Sequence, residues 1–154
     1  MLAIEKSSTK VAPTLIFTWG NPSRGDDAIG SLIYERLKQE ALADVDLLTD
    51  FQLQIEHIID LEARQRIIFI DASVSANAPF EYEQIVATQD DSYTSHAMSP
   101  ESLLAVFQKV NQRPPPKAFM LSVRGYEFGL GLTISDKAMI NINKAIDYIK
   151  NHLA

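Results

Sequence analysis

The chain contains no cysteine, although 46% of its 154 residues are hydrophobic. This absence excludes disulfide scaffolds, zinc sites built on thiolates, iron–sulfur clusters and thiol nucleophiles. It also fits a reducing compartment, and we expect the protein to be cytoplasmic. A chain of this length and composition can bury a core of its own without such crosslinks.

A basic surface stripe and a long apolar segment are also missing. The formal net charge is −6 and the lysines and arginines are scattered, so we expect no nucleic-acid partner. No window approaches about 18 consecutive apolar residues, and the N-terminus lacks the apolar core of a signal peptide, so we expect no membrane partner. We predict one domain over residues 1–154, with 1–13 as a flexible extension, acting as a monomer on a small molecule or a protein.

Hydrophobic periodicity predicts strands that alternate with helices. The segment "RIIFIDA" is typical of a strand covered on both faces, whereas "FEYEQIVAT" alternates as an edge strand does. The order β-α-β-α-β-β-α-β-α predicts a three-layer α/β/α sandwich around a mostly parallel five-stranded sheet with one antiparallel edge strand. Strands are predicted at 14–18, 45–48, 66–72, 80–88 and 117–123, and helices at 26–41, 52–63, 101–110 and 136–152, the last capped by Thr133 or Ser135.

Acidic and imidazole side chains fall where predicted strands end. Asp26 and Asp27 follow the first strand, Asp71 closes the third, and His96 lies in the loop before the Pro100 helix. Ligands of open α/β sheets bind outside the carboxyl ends of the strands. Two carboxylates and one imidazole that converge there are suited to a divalent ion such as nickel or zinc.

The acids also have simpler explanations. Acids in a first helical turn satisfy free backbone N–H groups, and one is enough, so Asp26 is the expected cap and Asp27 is free to point across the sheet edge. Spacing alone is equally compatible with two ordinary first-turn acids. Asp71 either forms a turn in "DAS" or serves a site, and the second is favoured because a carboxylate that closes an apolar strand needs a partner.

The histidines and the remaining motifs are weaker signals. A lone His96 in a polar loop is usually solvated, His57 is expected on a helix surface or in packing, and His152 lies at a frayed end. The three glycines of "GNPSRGDDAIG" are five residues apart, which does not match the G-x-G-x-x-G of a dinucleotide site. The chain also lacks G-K-[ST], G-x-S-x-G and H-E-x-x-H.

These segments together resemble the NiFe-hydrogenase maturation proteases. "GNPSRGDDAIG" is similar to the opening motif of that family, "IIFIDASVS" to its strand ending in Asp, and "SHAMSP" to its His-bearing segment. "VRGYEFGLGLTISDKA" is similar to its last strand, Gly-rich loop and capped helix. The matches follow the family order over residues 14–150, and the resemblance implies a phosphorylase/hydrolase-like fold.

The resemblance also implies a function and a site. The family removes a C-terminal extension from the hydrogenase large subunit after nickel insertion. Carried over by position, Asp27, Asp71 and His96 contact that nickel, which belongs to the large-subunit precursor and is no permanent cofactor, while Asp26 caps the helix. Water would attack the peptide bond beside the metal, with Asp27 or Asp71 as the catalytic base.

One segment departs from the family pattern. The second strand is typically followed there by a Gly-Gly-Thr loop, which lies beside the cleft and bears on substrate choice, whereas this chain reads "TDFQLQIEH". The departure concerns which large subunit is recognised and, secondarily, proteolysis itself. Two alternatives therefore stand beside the endopeptidase: a non-catalytic assembly factor that binds the nickel-loaded subunit, and a generic metal-dependent hydrolase.

Overall fold

A computed structural model describes residues 10–89 and 98–153. Its strands and helices follow the predicted alternation closely. The strands are β1 (Thr14–Trp19), β2 (Val45–Asp50), β3 (Arg66–Ser73), β4 (Phe80–Ile85) and β5 (Lys117–Arg124). The α-helices are α1 (Ile29–Glu40), α2 (Pro100–Asn111) and α3 (Asp136–Tyr148); 3-10 helices span Gly25–Ala28 and Ile55–Leu61, and a π-helical turn spans Ile149–Leu153.

The five strands form one sheet in the order β2-β1-β3-β5-β4. β1, β2, β3 and β5 are parallel, and only the edge strand β4 runs antiparallel to its neighbour. This arrangement confirms the predicted fold class. The carboxyl ends of the parallel strands therefore meet at one edge, with Trp19 of β1 opposite Asp50 of β2 and Asp71 of β3 opposite Ser122 of β5.

Each face of the sheet buries its own core. Along β3, Ile68 and Ile70 join the core beneath α1 and α3, whereas Ile67 and Phe69 join the core beneath α2 and the Ile55–Leu61 helix. Alternate residues of a strand point to opposite faces, so the continuous apolar run seen in the sequence is what a strand covered on both sides requires. The result is the expected three layers.

The helix predicted over 52–63 is wrong in type and length. The segment forms the 3-10 helix Ile55–Leu61, in which Ile55 and Ile59 are 48% and 69% exposed. The inward side chains are those of Leu53, His57 and Leu61. The buried residues are thus four positions apart and include a histidine, Ile58 packs against the core only in part, and Ile55 and Ile59 lie outside.

The ends of α3 agree with the sequence in part. Ser135 is its N-cap and accepts a hydrogen bond from the Ala138 N–H at 3.2 Å, which decides between the two predicted caps. His152 is exposed on the π-helical turn after α3, and its ring stacks on Tyr148. Within residues 10–89 and 98–153, no helix has the length and apolar character needed to cross a bilayer.

Candidate active site

The turn after β1 is held very close to the elements around it. Gly20 has φ +143°, and a Cβ there would lie 2.2 Å from the carbonyl oxygen of Asp27. A Cβ on Gly30 would lie 2.3 Å from the carbonyl oxygen of Trp19. Larger residues at either position would push the start of α1 away from the sheet. The glycines of the opening motif therefore fix where its acids stand.

Asp27 lies in the 3-10 helix that precedes α1, at the carboxyl edge of the sheet. Its Oδ2 accepts a hydrogen bond from the Asn21 N–H at 2.7 Å, and its own N–H donates to the Arg24 carbonyl at 3.0 Å. The carboxylate is partly buried by this turn. The Asn21 bond thus holds the Asp27 carboxylate in place. The carboxylate can accept further hydrogen bonds or bind a cation, because it offers about four lone-pair sites.

Asp71 lies in β3, two residues before the strand ends at Ser73 rather than at its last position. Its Oδ1 accepts a hydrogen bond from the Ala72 N–H at 2.7 Å. The pKa of Asp71 is raised to about 7, chiefly by burial and also by the negative charge of Asp27, while the hydrogen bond from Ala72 and the nearby Trp19 side chain oppose the rise. The charge of Asp27 thus acts on Asp71 across the carboxyl edge of the sheet, and their joint role in a metal site stays a prediction.

A carboxyl group with this pKa can exchange a proton near neutral pH. That property suits a general acid or base, and a pKa displaced by burial and a like charge is typical of functional sites. Carboxylate oxygens are also ordinary ligands for a divalent ion.

His96, the third predicted metal-contacting residue, lies within 90–97, outside the described residues. Its role stays a prediction. Among residues 10–89 and 98–153, no three side chains of His, Asp or Glu come close enough to hold a metal ion.

The predicted role of Asp26 as a helix cap is wrong. Neither the 3-10 helix Gly25–Ala28 nor α1 has a side-chain cap. The fully buried Asp26 carboxylate instead contacts the segment between β5 and α3. It accepts four hydrogen bonds there, from the backbone N–H groups of Tyr126 (2.7 Å), Glu127 (3.0 Å) and Ser135 (2.7 Å) and from the Ser135 Oγ (2.7 Å).

These bonds determine the ionisation of Asp26. Burial acts to raise its pKa, but the hydrogen bonds from Ser135, Tyr126 and Glu127 together lower it below the ordinary value. Backbone bonds reinforce the same junction, among them Gly25 N–H to the Leu132 carbonyl at 3.0 Å. Asp26 therefore ties the glycine-rich loop after β5 to the turn that carries Asp27, so the two adjacent acids have different partners.

Two residues near this edge were not singled out as site candidates from sequence. Asp50 is the last residue of β2, and its Oδ2 lies 3.0 Å from the Nε2 of His57. His57 was expected as a surface or packing residue, and it is buried against Phe17. Asp50 was missed because the strand was predicted to stop at Leu48, two residues before it.

Solved structures share this architecture at low sequence identity. No protein-family model matches the chain, and no curated protein matches it in sequence. The NiFe-hydrogenase maturation protease HycI from Thermococcus kodakarensis KOD1 is 19% identical and has a TM-score of 0.70 over 97% of both chains.

Two further solved structures have the same fold at low sequence identity. The hydrogenase maturating endopeptidase HybD from E. coli is 22% identical, with a TM-score of 0.71 over 91% of both chains. A hydrogenase 2 maturation peptidase from a Thaumarchaeota archaeon is 21% identical, with a TM-score of 0.64 over 92% of this chain and 97% of its own. The chain therefore has the fold of the NiFe-hydrogenase maturation proteases.

Proposed function

We propose that the protein is an endopeptidase that removes the C-terminal extension of a NiFe-hydrogenase large subunit after nickel has been inserted. The observation that carries this proposal is the placement of Asp27 and Asp71 at the carboxyl edge of the parallel strands, Asp27 in the turn after β1 and Asp71 near the end of β3. Neighbours in fold that are named maturation endopeptidases support the reaction class.

The nickel in this proposal arrives with the precursor as part of the substrate. Asp27 and Asp71 supply oxygen ligands and His96 supplies a nitrogen ligand, so that protease and precursor complete one coordination shell between them. Binding in this way holds the scissile bond beside the site, and fixed orientation of reactants lowers the barrier to reaction. Asp71 must lose its proton to become a ligand, which links binding to pH.

Peptide hydrolysis then needs only water and a proton carrier. A water oxygen forms a bond to the scissile carbonyl carbon, while Asp27 or Asp71 accepts the water proton. The C–N bond breaks and the proton passes to the leaving amine. The products are the mature subunit with a new carboxylate and the released C-terminal peptide.

The setting of the reaction is also proposed. A cysteine-free, acidic chain suits the cytoplasm, where the precursor would meet it as a monomer. The segment after β2 would determine which large subunit the protein accepts. In this chain it forms the 3-10 helix Ile55–Leu61 where the resembled family typically has a Gly-Gly-Thr loop.

That same segment favours a second candidate, an assembly factor that binds the nickel-loaded subunit without cutting it. The third candidate, a generic metal-dependent hydrolase, predicts metal held stoichiometrically by the purified protein alone. Co-precipitation of loaded precursor with no change in its length would favour the assembly factor over the protease.

The deciding experiment compares two Asp→Asn variants in a cleavage assay with nickel-loaded precursor. Asp27→Asn removes a site charge and should abolish cleavage, whereas Asp147→Asn changes an exposed acid of α3 and should leave the rate unchanged. Cleavage by Asp27→Asn at the wild-type rate would exclude the assigned site.

A further inference from the structure

His57 is held so that it can serve only as a hydrogen-bond donor to Asp50. Its side chain is 10% exposed, its Nδ1 accepts a hydrogen bond from the Gln54 N–H at 2.8 Å, and its Nε2 lies 3.0 Å from the Asp50 Oδ2. A neutral imidazole whose Nδ1 accepts a hydrogen bond carries its proton on Nε2. Both nitrogens are therefore occupied, and neither is left for a metal or for a reacting water.

The surroundings fix the imidazole from two sides. The ring meets Phe17 edge to face, with centroids 4.7 Å apart and planes at 88°, and Phe17 packs in the same way on Trp19. Gln54 and His57 form a reciprocal capping box that closes the first turn of the Ile55–Leu61 helix. The Ile55–Leu61 helix lies where the resembled family typically has a Gly-Gly-Thr loop. It places the His57 Nε2–H beside the Asp50 carboxylate.

Asp50 stands level with Asp71 on the same face of the sheet. Asp50 is in register with Trp19 of β1, and Thr18, one residue before Trp19, is in register with Ile70, one residue before Asp71. Two strand spacings put the two acids about 10 Å apart, which is roughly the length of three residues of extended peptide. The Asp50 side chain is 40% exposed, so a ligand at the carboxyl edge of the sheet can reach it.

The direction of support is the reverse of that in a Ser-His-Asp triad, where a buried carboxylate orients a working histidine. Here the buried group is the imidazole and the accessible group is the carboxylate. Asp50 also accepts a hydrogen bond from the Phe51 N–H at 2.7 Å through Oδ1, and lone pairs remain on its oxygens. The accessible carboxylate is a hydrogen-bond acceptor held in a fixed orientation.

We infer that His57 is a positioning residue that fixes Asp50 at the carboxyl edge of the sheet, where the carboxylate accepts an N–H donor of the substrate peptide about three residues from the scissile bond. This inference rests on the proposed protease function, since it requires a peptide bound along this edge. In this inference the segment after β2 helps to bind the substrate, because it carries His57.

The test compares two substitutions of the same histidine. The amide oxygen of His57→Asn can replace Nδ1 as acceptor for Gln54, but the side chain is too short to reach Asp50. The amide nitrogen of His57→Gln can replace Nε2 as donor to Asp50, but Gln54 loses its acceptor. Both variants disturb one bond of the histidine, so stability loss alone does not distinguish them.

With a nickel-loaded large-subunit precursor as the probe, we expect Asp50→Asn and His57→Asn each to raise KM about 10-fold or more at unchanged kcat, the loss of one hydrogen bond to a charged group. His57→Gln should keep KM near the wild-type value. In an Asp50→Asn background, His57→Asn should add no further effect. Nitrogen NMR of the imidazole should show the neutral tautomer with its proton on Nε2.

Each other outcome contradicts the inference. If wild-type protein cleaves the precursor but both His57 variants shift KM equally, or neither does, the positioning role is wrong and the protease function stands. An imidazole with its proton on Nδ1 is equally inconsistent with it. If wild-type protein leaves the loaded precursor uncut, the proposed function fails and the inference fails with it.

Discussion

Replacing Asp71 by Asn should stabilise the metal-free protein at alkaline pH while abolishing its activity. In the folded chain the pKa of Asp71 is raised from 3.8 to about 7, first by burial and then by the charge of Asp27. The folded state therefore binds a proton at pH 5 that the unfolded state has already released. The free energy of unfolding should fall as the pH rises from about 4 to about 7.

The size of the effect follows from the shift. A displacement of about three pH units corresponds to at most about 4 kcal/mol. Since Asp71 is only partly shielded from solvent, we expect about half of that, roughly 2 kcal/mol. Asn carries no charge to desolvate, so Asp71→Asn should lack this pH dependence and exceed the wild type by about that amount at pH 8.

The assay is urea unfolding of metal-free wild-type and Asp71→Asn protein at pH 5 and pH 8. A second variant checks the cause: Asp27→Asn removes the neighbouring negative charge and should lower the pKa of Asp71, measured by carboxyl-carbon NMR. Equal stability of wild type and Asp71→Asn at pH 8, with an Asp71 pKa near 4, would refute the reasoning.

The remaining predictions concern the other acids and His96. Asp26→Asn should cost about 2–4 kcal/mol of unfolding free energy, because its amide group would face N–H donors that now bind a carboxylate, and urea unfolding at pH 7 measures this. Asp27→Asn, which loses a single bond from Asn21, should cost less than about 1 kcal/mol in the same assay yet abolish cleavage. His96→Ala should weaken binding to nickel-loaded precursor more than to nickel-free precursor in a pull-down, and equal weakening would exclude it as a ligand.

The strands and the sheet could be predicted because their signals are local. The apolar run Ile67–Ile70 and the alternating "FEYEQI" each indicate how many faces are covered, and the element order limits the connections. The placement of Asp27 and Asp71 at one edge of the sheet could be predicted because parallel strands bring their carboxyl ends there.

The roles that depend on distant partners could not be predicted. The carboxylate of Asp26 binds residues 100 to 109 positions away, so its first-turn position suggested a cap that it does not form. His57 occupies an inward position of a 3-10 helix that periodicity suggested was α-helical. The partner of His57, Asp50, could not be placed at the sheet edge from sequence because β2 was predicted to end at Leu48, two residues too early.

Intact mass of the large-subunit precursor tests the central claim most directly. Wild-type protein is incubated with precursor that carries nickel and, separately, with nickel-free precursor, and the mass of each subunit is measured over time. The account predicts loss of one defined C-terminal peptide from the loaded precursor and no loss from the nickel-free form. Efficient cutting of the nickel-free precursor, or no cutting of the loaded one, would contradict it.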